Sequence, residues 1–197
     1  MNILIIGANG FTGRRILNDL VAREIYNITA CSLRNDIQSG DGYQFIRADI
    51  RNASEVRALF KEVCPDVVIN TSALSVPDFC ETHHNEARAT NITAVEHLAR
   101  ACEQYGSRFI HLSTDFVFDG RTDRLYTEED EPNPVNYYGI TKLEGEERVA
   151  EYCGNYAIVR VVVVYGKALP GQHGNIMQLV ANKLRSGETI RVVSDQW

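Results

Sequence analysis

"MNILIIGANGFTG", Met1–Gly13, decides how the rest of the chain is read. The apolar run Ile3–Ile6 has strand length, and a helix over Thr12–Ala22 follows it after only a few residues. Between them Gly7, Gly10 and Gly13 stand in G-x-x-G-x-x-G spacing, with Phe11 and Thr12 inside the motif. Alone, that spacing marks no more than a turn. Directly after a strand and at the start of a helix, glycine has three uses. It makes the tight turn, it lets the backbone approach a phosphate, and it lets the helix pack closely on the strand. The helix N-terminus adds N–H groups and the positive end of a dipole. The stretch therefore reads as a dinucleotide-binding turn.

The same rhythm continues. Strands are expected at Ile28–Leu33, Tyr43–Ile46, Val67–Ile69, Phe109–Leu112, Ala157–Val164 and Thr189–Val193. Helices are expected at Ser54–Val63, Ala87–Tyr105, Val135–Tyr152 and Ile176–Ser186. Runs such as "DVVIN" and "AIVRVVVV" are apolar almost throughout, as strands are when helices cover both faces of a sheet. The expected fold is α/β, a doubly wound Rossmann-type parallel sheet with helices on both faces. The 197 residues, 44% hydrophobic and 23% charged, suffice for one such domain. A net charge of −6 argues against a nucleic-acid partner, and no apolar run is long enough for a membrane span. Five widely spaced cysteines without a C-x-x-C pair read as reduced thiols, which places the expected protein in the cytoplasm.

The end of the second strand chooses between dinucleotides. An acid there would grip a ribose 2′-OH and indicate NAD. "CSLRND" instead offers Ser32 and Arg34, a hydroxyl and a guanidinium suited to a 2′-phosphate, with Asp36 close by. NADP(H) is the expected cofactor and NAD(H) the alternative.

Chemistry is carried by "IHLSTDFVFDG", Ile110–Gly120, and "PVNYYGITKLEGE", Pro134–Glu146. The first is a strand ending at Thr114, and ligands of a parallel sheet sit beyond the carboxyl ends of its strands. The second places Tyr138 and Lys142 one helical turn apart on one face. A tyrosine of ordinary pKa near 10 is a poor acid–base group, and a neighbouring ammonium is expected to bring it toward the working range. The Thr114 hydroxyl would hold a carbonyl oxygen beside the tyrosine, and hydride must come from a nicotinamide.

Taken in order, "GANGFTG", "STDFVFDG" and "YYGITKLEGE" resemble the extended short-chain dehydrogenase/reductase superfamily, and within it the dTDP-4-dehydrorhamnose reductase family. "RADI" (Arg47–Ile50), "PDVVINTSAL" (Pro65–Leu74), "RVVVVYG" (Arg160–Gly166) and the closing "VVSDQW" extend the likeness along nearly the whole chain. The resemblance implies a catalytic triad of Thr114, Tyr138 and Lys142. It further implies Asp49 and Ile50 flanking an adenine, Thr71, Ser72 and Ala73 along the cofactor, a nucleotide-sugar substrate, and homodimers as a common state. Related dehydratases carry Asp-Glu after the threonine; here Phe116 follows Asp115, which favours simple carbonyl reduction. Val163 stands where that family has tryptophan, and Phe116 where it has tyrosine, which leaves two expectations open: a different deoxysugar, or a substrate that is not a nucleotide sugar. The family continues past "DQW", so residues 1–197 are expected to be the dinucleotide-binding part of a longer chain, its substrate lobe incomplete. Two other activities fit the likeness. One is a non-catalytic NADP-binding subunit like the regulatory subunit of methionine adenosyltransferase; the other is an epimerase.

Weaker signals remain. "DFCETHHNE" gathers Asp78, Cys80, Glu81, His83 and His84 without metal-ligand spacing, and reads as a loop and helix start. Asn91 is either a structural asparagine or a plain helix-surface amide. The acidic loop Asp119–Asn136 is expected to be functional or mobile. His111 is expected to be a core or sheet-face histidine.

Overall fold

A computed structural model describes residues 1–166 and 175–190. Six strands form one parallel sheet: β1 (Asn2–Ile6), β2 (Asn27–Ser32), β3 (Gln44–Arg47), β4 (Val67–Asn70), β5 (Arg108–Thr114) and β6 (Tyr156–Val161). Their order is β3-β2-β1-β4-β5-β6, so the winding reverses between β1 and β4. All five pairings are parallel, with Ile3 beside both Ile28 and Val67.

Alternation along β1 shows why the central strands lack a polar face. Leu4 and Ile6 enter a core with Val56, Leu59 and Phe60 of α2 (Ala53–Val63) and Val95, Leu98 and Cys102 of α5 (Ala94–Tyr105). Ile3 and Ile5 point the other way, to Leu17 of α1 (Phe11–Val21). Period-two alternation into two cores makes a continuous apolar run. The expected doubly wound sheet is the fold observed.

Three differences from the expected elements matter. The single helix expected over Ala87–Tyr105 is interrupted. After α3 (Pro77–Thr82), α4 (His84–Arg88) runs into a π-helical turn, Ala89–Thr93, before α5 begins. That turn buries Asn91, whose Oδ1 accepts from Leu74 N at 2.8 Å. Its Nδ2 donates to Leu74 O at 3.1 Å and to Thr141 Oγ1 at 3.0 Å. A widened turn that aims one side chain is a common use of a π-bulge, so Asn91 is the structural asparagine. Secondly, β6 ends at Val161, short of Val164. Thirdly, the strand expected at Thr189–Val193 runs into residues outside those described.

Helix α6 (Tyr137–Tyr152) starts where Asn136 Oδ1 accepts from Gly139 N at 2.8 Å. It lies so close to the three-residue 3₁₀ turn after β5 that a Cβ at Gly139 would sit 2.2 Å from Phe116 O. Residues Met1–Val162 form one compact unit and Val163–Trp197 another. In the second, α7 (Ile176–Ser186) is capped by Asn175, whose Oδ1 accepts from Gln178 N, and ends at Gly187 with φ of 70°.

Gly139→Ala forces α6 or the 3₁₀ turn to move. Urea unfolding is expected to show a loss of about 1–3 kcal/mol, the usual cost of overpacking. A loss below about 0.5 kcal/mol would mean that the helix is not seated this tightly.

Candidate active site

The glycine turn lies at the reversal of strand order. Gly7 has φ of 81°, a left-handed conformation that favours glycine, and a Cβ there would meet Ser72 N and Thr71 Oγ1 at 2.8 Å. A Cβ at Gly13 would lie 2.3 Å from Gly7 O and 2.6 Å from Thr71 Oγ1. Turn, helix and the end of β4 therefore touch backbone to backbone. Thr71 Oγ1 secures the contact by donating to Ile6 O at 2.9 Å. Thr71 and Ser72 thus spend their hydroxyls on building the site, since Ser72 Oγ donates to Asn70 Oδ1 at 2.6 Å.

Asn9 ties the segment after β2 to this turn. Its Nδ2 donates to Asn35 O at 2.9 Å and Arg34 O at 3.3 Å, and its Oδ1 accepts from Ile37 N at 3.4 Å. Arg34 is exposed beside the turn, while Ser32 ends β2 opposite Arg47. Asp36 is engaged within its own segment, accepting from Tyr43 Oη at 2.6 Å and from Gln38 N at 2.9 Å. Asp49, just past β3, lies against Arg51 at 2.7 Å, which holds its carboxyl below the usual carboxylate range. Ile50 beside it is buried.

Arg14 escaped the sequence reading. It lies in the first turn of α1 and is 5% exposed, yet Nε and Nη2 have no hydrogen-bond partner among the described residues. A buried guanidinium without an anion is costly. A cation at a helix N-terminus also opposes the dipole, and this first turn carries no acid. The Arg14-Arg15 pair directly after Gly13 was the available signal: a local rule broken where a ligand's charge would restore it. Orphaned guanidinium and glycine cradle together fit a phosphate-bearing dinucleotide.

Thr114, at the end of β5, and Tyr138, in the first turn of α6, come together. The Thr114 side chain acts on the Tyr138 phenol, drawing its pKa down, and Thr114 Oγ1 accepts from Phe116 N at 3.2 Å and donates to Asp115 Oδ1 at 3.0 Å. Tyr138 is 8% exposed, edge-on to Phe116, and shares a cluster with Cys80 and Ala87. Here the "DFCETHHNE" segment finds its use in packing. Glu81 Oε1 accepts from Tyr137 N at 2.7 Å and His84 stacks on the Tyr137 ring at 3.8 Å, so α3 and α4 hold the start of α6.

Lys142 is buried at 1% exposure, and its Nζ turns to the strand. It donates to Leu112 O at 2.7 Å and meets His111 Nε2 at 3.3 Å. Burial pushes Tyr138 up to about 12, against a lowering by Thr114, with Cys80 and Asp115 adding to the rise. The lowering expected from a neighbouring ammonium is not what this arrangement gives: burial raises the phenol, and the Lys142 nitrogen is turned to Leu112 O and is not among the groups that act on it. Burial likewise lowers Lys142 from 10.5 to about 8, against the attraction of Glu146. Sequence reading had no means of finding His111 as its neighbour, or Asn70 as the neighbour of His111.

A parallel sheet wound in this order, with a glycine turn at its switch point and a threonine, tyrosine and lysine on β5 and α6, defines an extended short-chain dehydrogenase/reductase. The chain belongs to the family described as the RmlD substrate binding domain, whose family model matches residues 1–197. It is 31% identical over 203 residues to the dTDP-4-dehydrorhamnose reductase of Shigella flexneri, covering 100% of this chain and 61% of that protein. The crystal structure of dTDP-4-dehydrorhamnose reductase from Bacillus anthracis in complex with NADP superposes with a TM-score of 0.82 at 28% identity, over 98% of this chain and 63% of that one. Methionine adenosyltransferase 2 subunit beta of Bos taurus is 33% identical over 165 residues, 84% of this chain and 47% of that protein. The chain thus spans about three-fifths of the reductases it matches.

Above pH 10.5 Lys142 is uncharged folded or unfolded. As pH falls toward 8 the unfolded chain takes up a proton that the folded one refuses, so folded stability drops, by about 3 kcal/mol in all. Lys142→Met removes that penalty. Its stability advantage over the parent, measured by urea unfolding, is expected to be about 2 kcal/mol larger at pH 7 than at pH 10. An advantage independent of pH would show that Lys142 titrates as an ordinary lysine.

Proposed function

We propose that the protein is an NADPH-dependent reductase of a keto group on a nucleotide-activated deoxysugar, acting through Thr114, Tyr138 and Lys142 in the cytoplasm. One observation carries the reading. The Thr114 side chain acts on the buried Tyr138 phenol at the carboxyl end of β5, next to β4, which leads into the glycine cradle's Thr71. Tyr138, held at about 12, keeps its proton at neutral pH and is ready to give it to a carbonyl oxygen. The Thr114 hydroxyl positions that oxygen, and Lys142 serves the nicotinamide ribose and the tyrosine. Bound NADPH supplies the hydride, which no side chain can.

In this reading Gly7, Gly10, Phe11, Thr12 and Gly13 bring backbone N–H groups to the pyrophosphate at the start of α1. Ser32 and Arg34 take the 2′-phosphate, and Arg14 adds its buried charge to a phosphate. Asp49 and Ile50 flank the adenine, and Thr71, Ser72 and Ala73 line the cofactor, with NADH as a weaker alternative. Residues 1–197 supply the dinucleotide half of the protein. The acid that dehydratases place after the threonine is replaced by Phe116, which favours reduction over elimination. An epimerase would regenerate its cofactor, so net NADPH consumption separates it from a reductase.

The second reading is a non-catalytic NADP-binding subunit, favoured by the bovine relative and by a Lys142 nitrogen turned to β5. A stoichiometric enzyme partner in a pull-down, with no turnover on any keto-sugar, would establish it instead.

Tyr138→Phe is expected to lower NADPH oxidation by keto-sugars about a hundredfold or more, while fluorescence titration shows NADPH binding within about twofold of the parent. Unchanged turnover removes Tyr138 from the mechanism. In the same titration NADPH is expected to bind more tightly than NADH, and Arg14→Met to weaken NADPH about tenfold, as loss of a charged hydrogen bond does. Full affinity in that variant would leave Arg14 without a role in binding.

A further inference from the structure

A line of buried side chains runs from the end of β4 to Lys142, and hydrogen-bond direction is fixed at its start. The Ser72 backbone N–H can only donate, and it donates to Asn70 Oδ1 at 3.0 Å. The Ser72 hydroxyl donates to the same oxygen. The Asn70 amide therefore presents its nitrogen to His111, with Nδ2 3.1 Å from Nδ1. A carboxamide nitrogen donates and does not accept, so Nδ1 must be the acceptor. A neutral imidazole that accepts at Nδ1 carries its hydrogen on Nε2.

His111 is neutral in this setting. It has no exposed surface, and burial, the larger cause, lowers it well below the usual histidine range before any charge on Lys142 adds to the lowering. Its Nε2–H then faces Lys142 Nζ at 3.3 Å. An ammonium would set two donors against each other. An amine has a lone pair to receive the hydrogen, while one of its own hydrogens still reaches Leu112 O at 2.7 Å.

We propose that Asn70 and His111 are positioning residues for Lys142, the fixed Nε2–H tautomer of His111 favouring the amine over the ammonium and so lowering the lysine's proton affinity in the ligand-free chain. Other groups around Lys142 leave this balance standing. Glu146, one turn further along α6, favours the ammonium, but Arg160 of β6 binds its carboxylate at 2.6 Å. Tyr138, one turn earlier, stays protonated, and Asp115 and Cys80 act on the Tyr138 side. Arg88 of α4 is paired with Glu144. The preference for the amine follows from the hydrogen-bond geometry alone. Its use, a lysine whose proton affinity rises when ligand hydroxyls offer new acceptors, rests on the reductase reading.

Two measurements on the ligand-free full chain decide the matter without any turnover. Long-range ¹H–¹⁵N correlation identifies the protonated ring nitrogen of His111, the signal being assigned by its loss in His111→Phe. Hydrogen on Nε2 is expected; hydrogen on Nδ1, or on both nitrogens at neutral pH, overturns the proposal. The ¹³Cε signal of Lys142 is then titrated in parent and His111→Phe. Loss of the Nε2–H donor is expected to raise the lysine midpoint by about one pH unit, a tenfold change in proton affinity. Burial alone predicts the same midpoint or a lower one, since phenylalanine is no more polar, and that result also overturns it. The tautomer measurement needs only the parent chain, so it stands even if the variant does not fold. Failure here leaves Tyr138 and Thr114 as the reductase reading has them, and failure of Tyr138→Phe to abolish turnover leaves the tautomer untouched.

Discussion

Everything at the carboxyl edge of the sheet depends on one close approach, that of Gly13 to the carbonyl of Gly7 beneath Thr71. No side chain fits between them. Because the backbones touch, α1 begins on top of β1, and the end of β4 lies against the same turn. The reversal of strand order then leaves a crevice there, as it does in open parallel sheets generally. β5 adds Thr114 next to that crevice and α6 adds Tyr138. Five elements contribute to a site that no single one could form.

Around α6 the problem is polar burial. Thr141, Lys142 and Glu146 are all shielded from water on one helix, and each has a partner from elsewhere: Asn91, the Leu112 carbonyl with His111, and Arg160. Replacing such pairs with apolar groups is often neutral for stability, whereas breaking one is expensive. Their effect is to allow a single seat for the helix. A helix that slid by one residue would orphan all three side chains together.

The sequence made the fold legible because β1 and its glycine turn are local signals, and because continuous apolar strands report coverage on both faces. Tyr138, Lys142 and Thr114 could be picked out as a candidate set for the same reason, since each sits in a short motif. What stayed hidden depends on distance along the chain. His111 and Lys142 are 31 positions apart, and Asn70 is 41 from His111. The phenol's direction of titration was misjudged for a related reason. Spacing puts the lysine on the same face, but only the folded sheet shows its nitrogen drawn away to a strand carbonyl. Arg14 was visible as a cation in the wrong half of a helix, a conflict that only burial turns into a statement about ligands. The π turn was invisible because small apolar residues on either side of it keep a helical period through the break.

That widened turn at Ala89–Thr93 constrains length as well as geometry. An α-helix advances about 100° per residue, so deleting one position would let the helix close regularly and rotate everything before it relative to everything after it by that amount. Asn91 could not then hold Leu74 and Thr141 while α5 kept its apolar side on the sheet. The segment's length is therefore fixed by geometry in a way that its individual side chains, Asn91 apart, are not: one residue fewer would break the connection that Asn91 makes between Leu74 and α6.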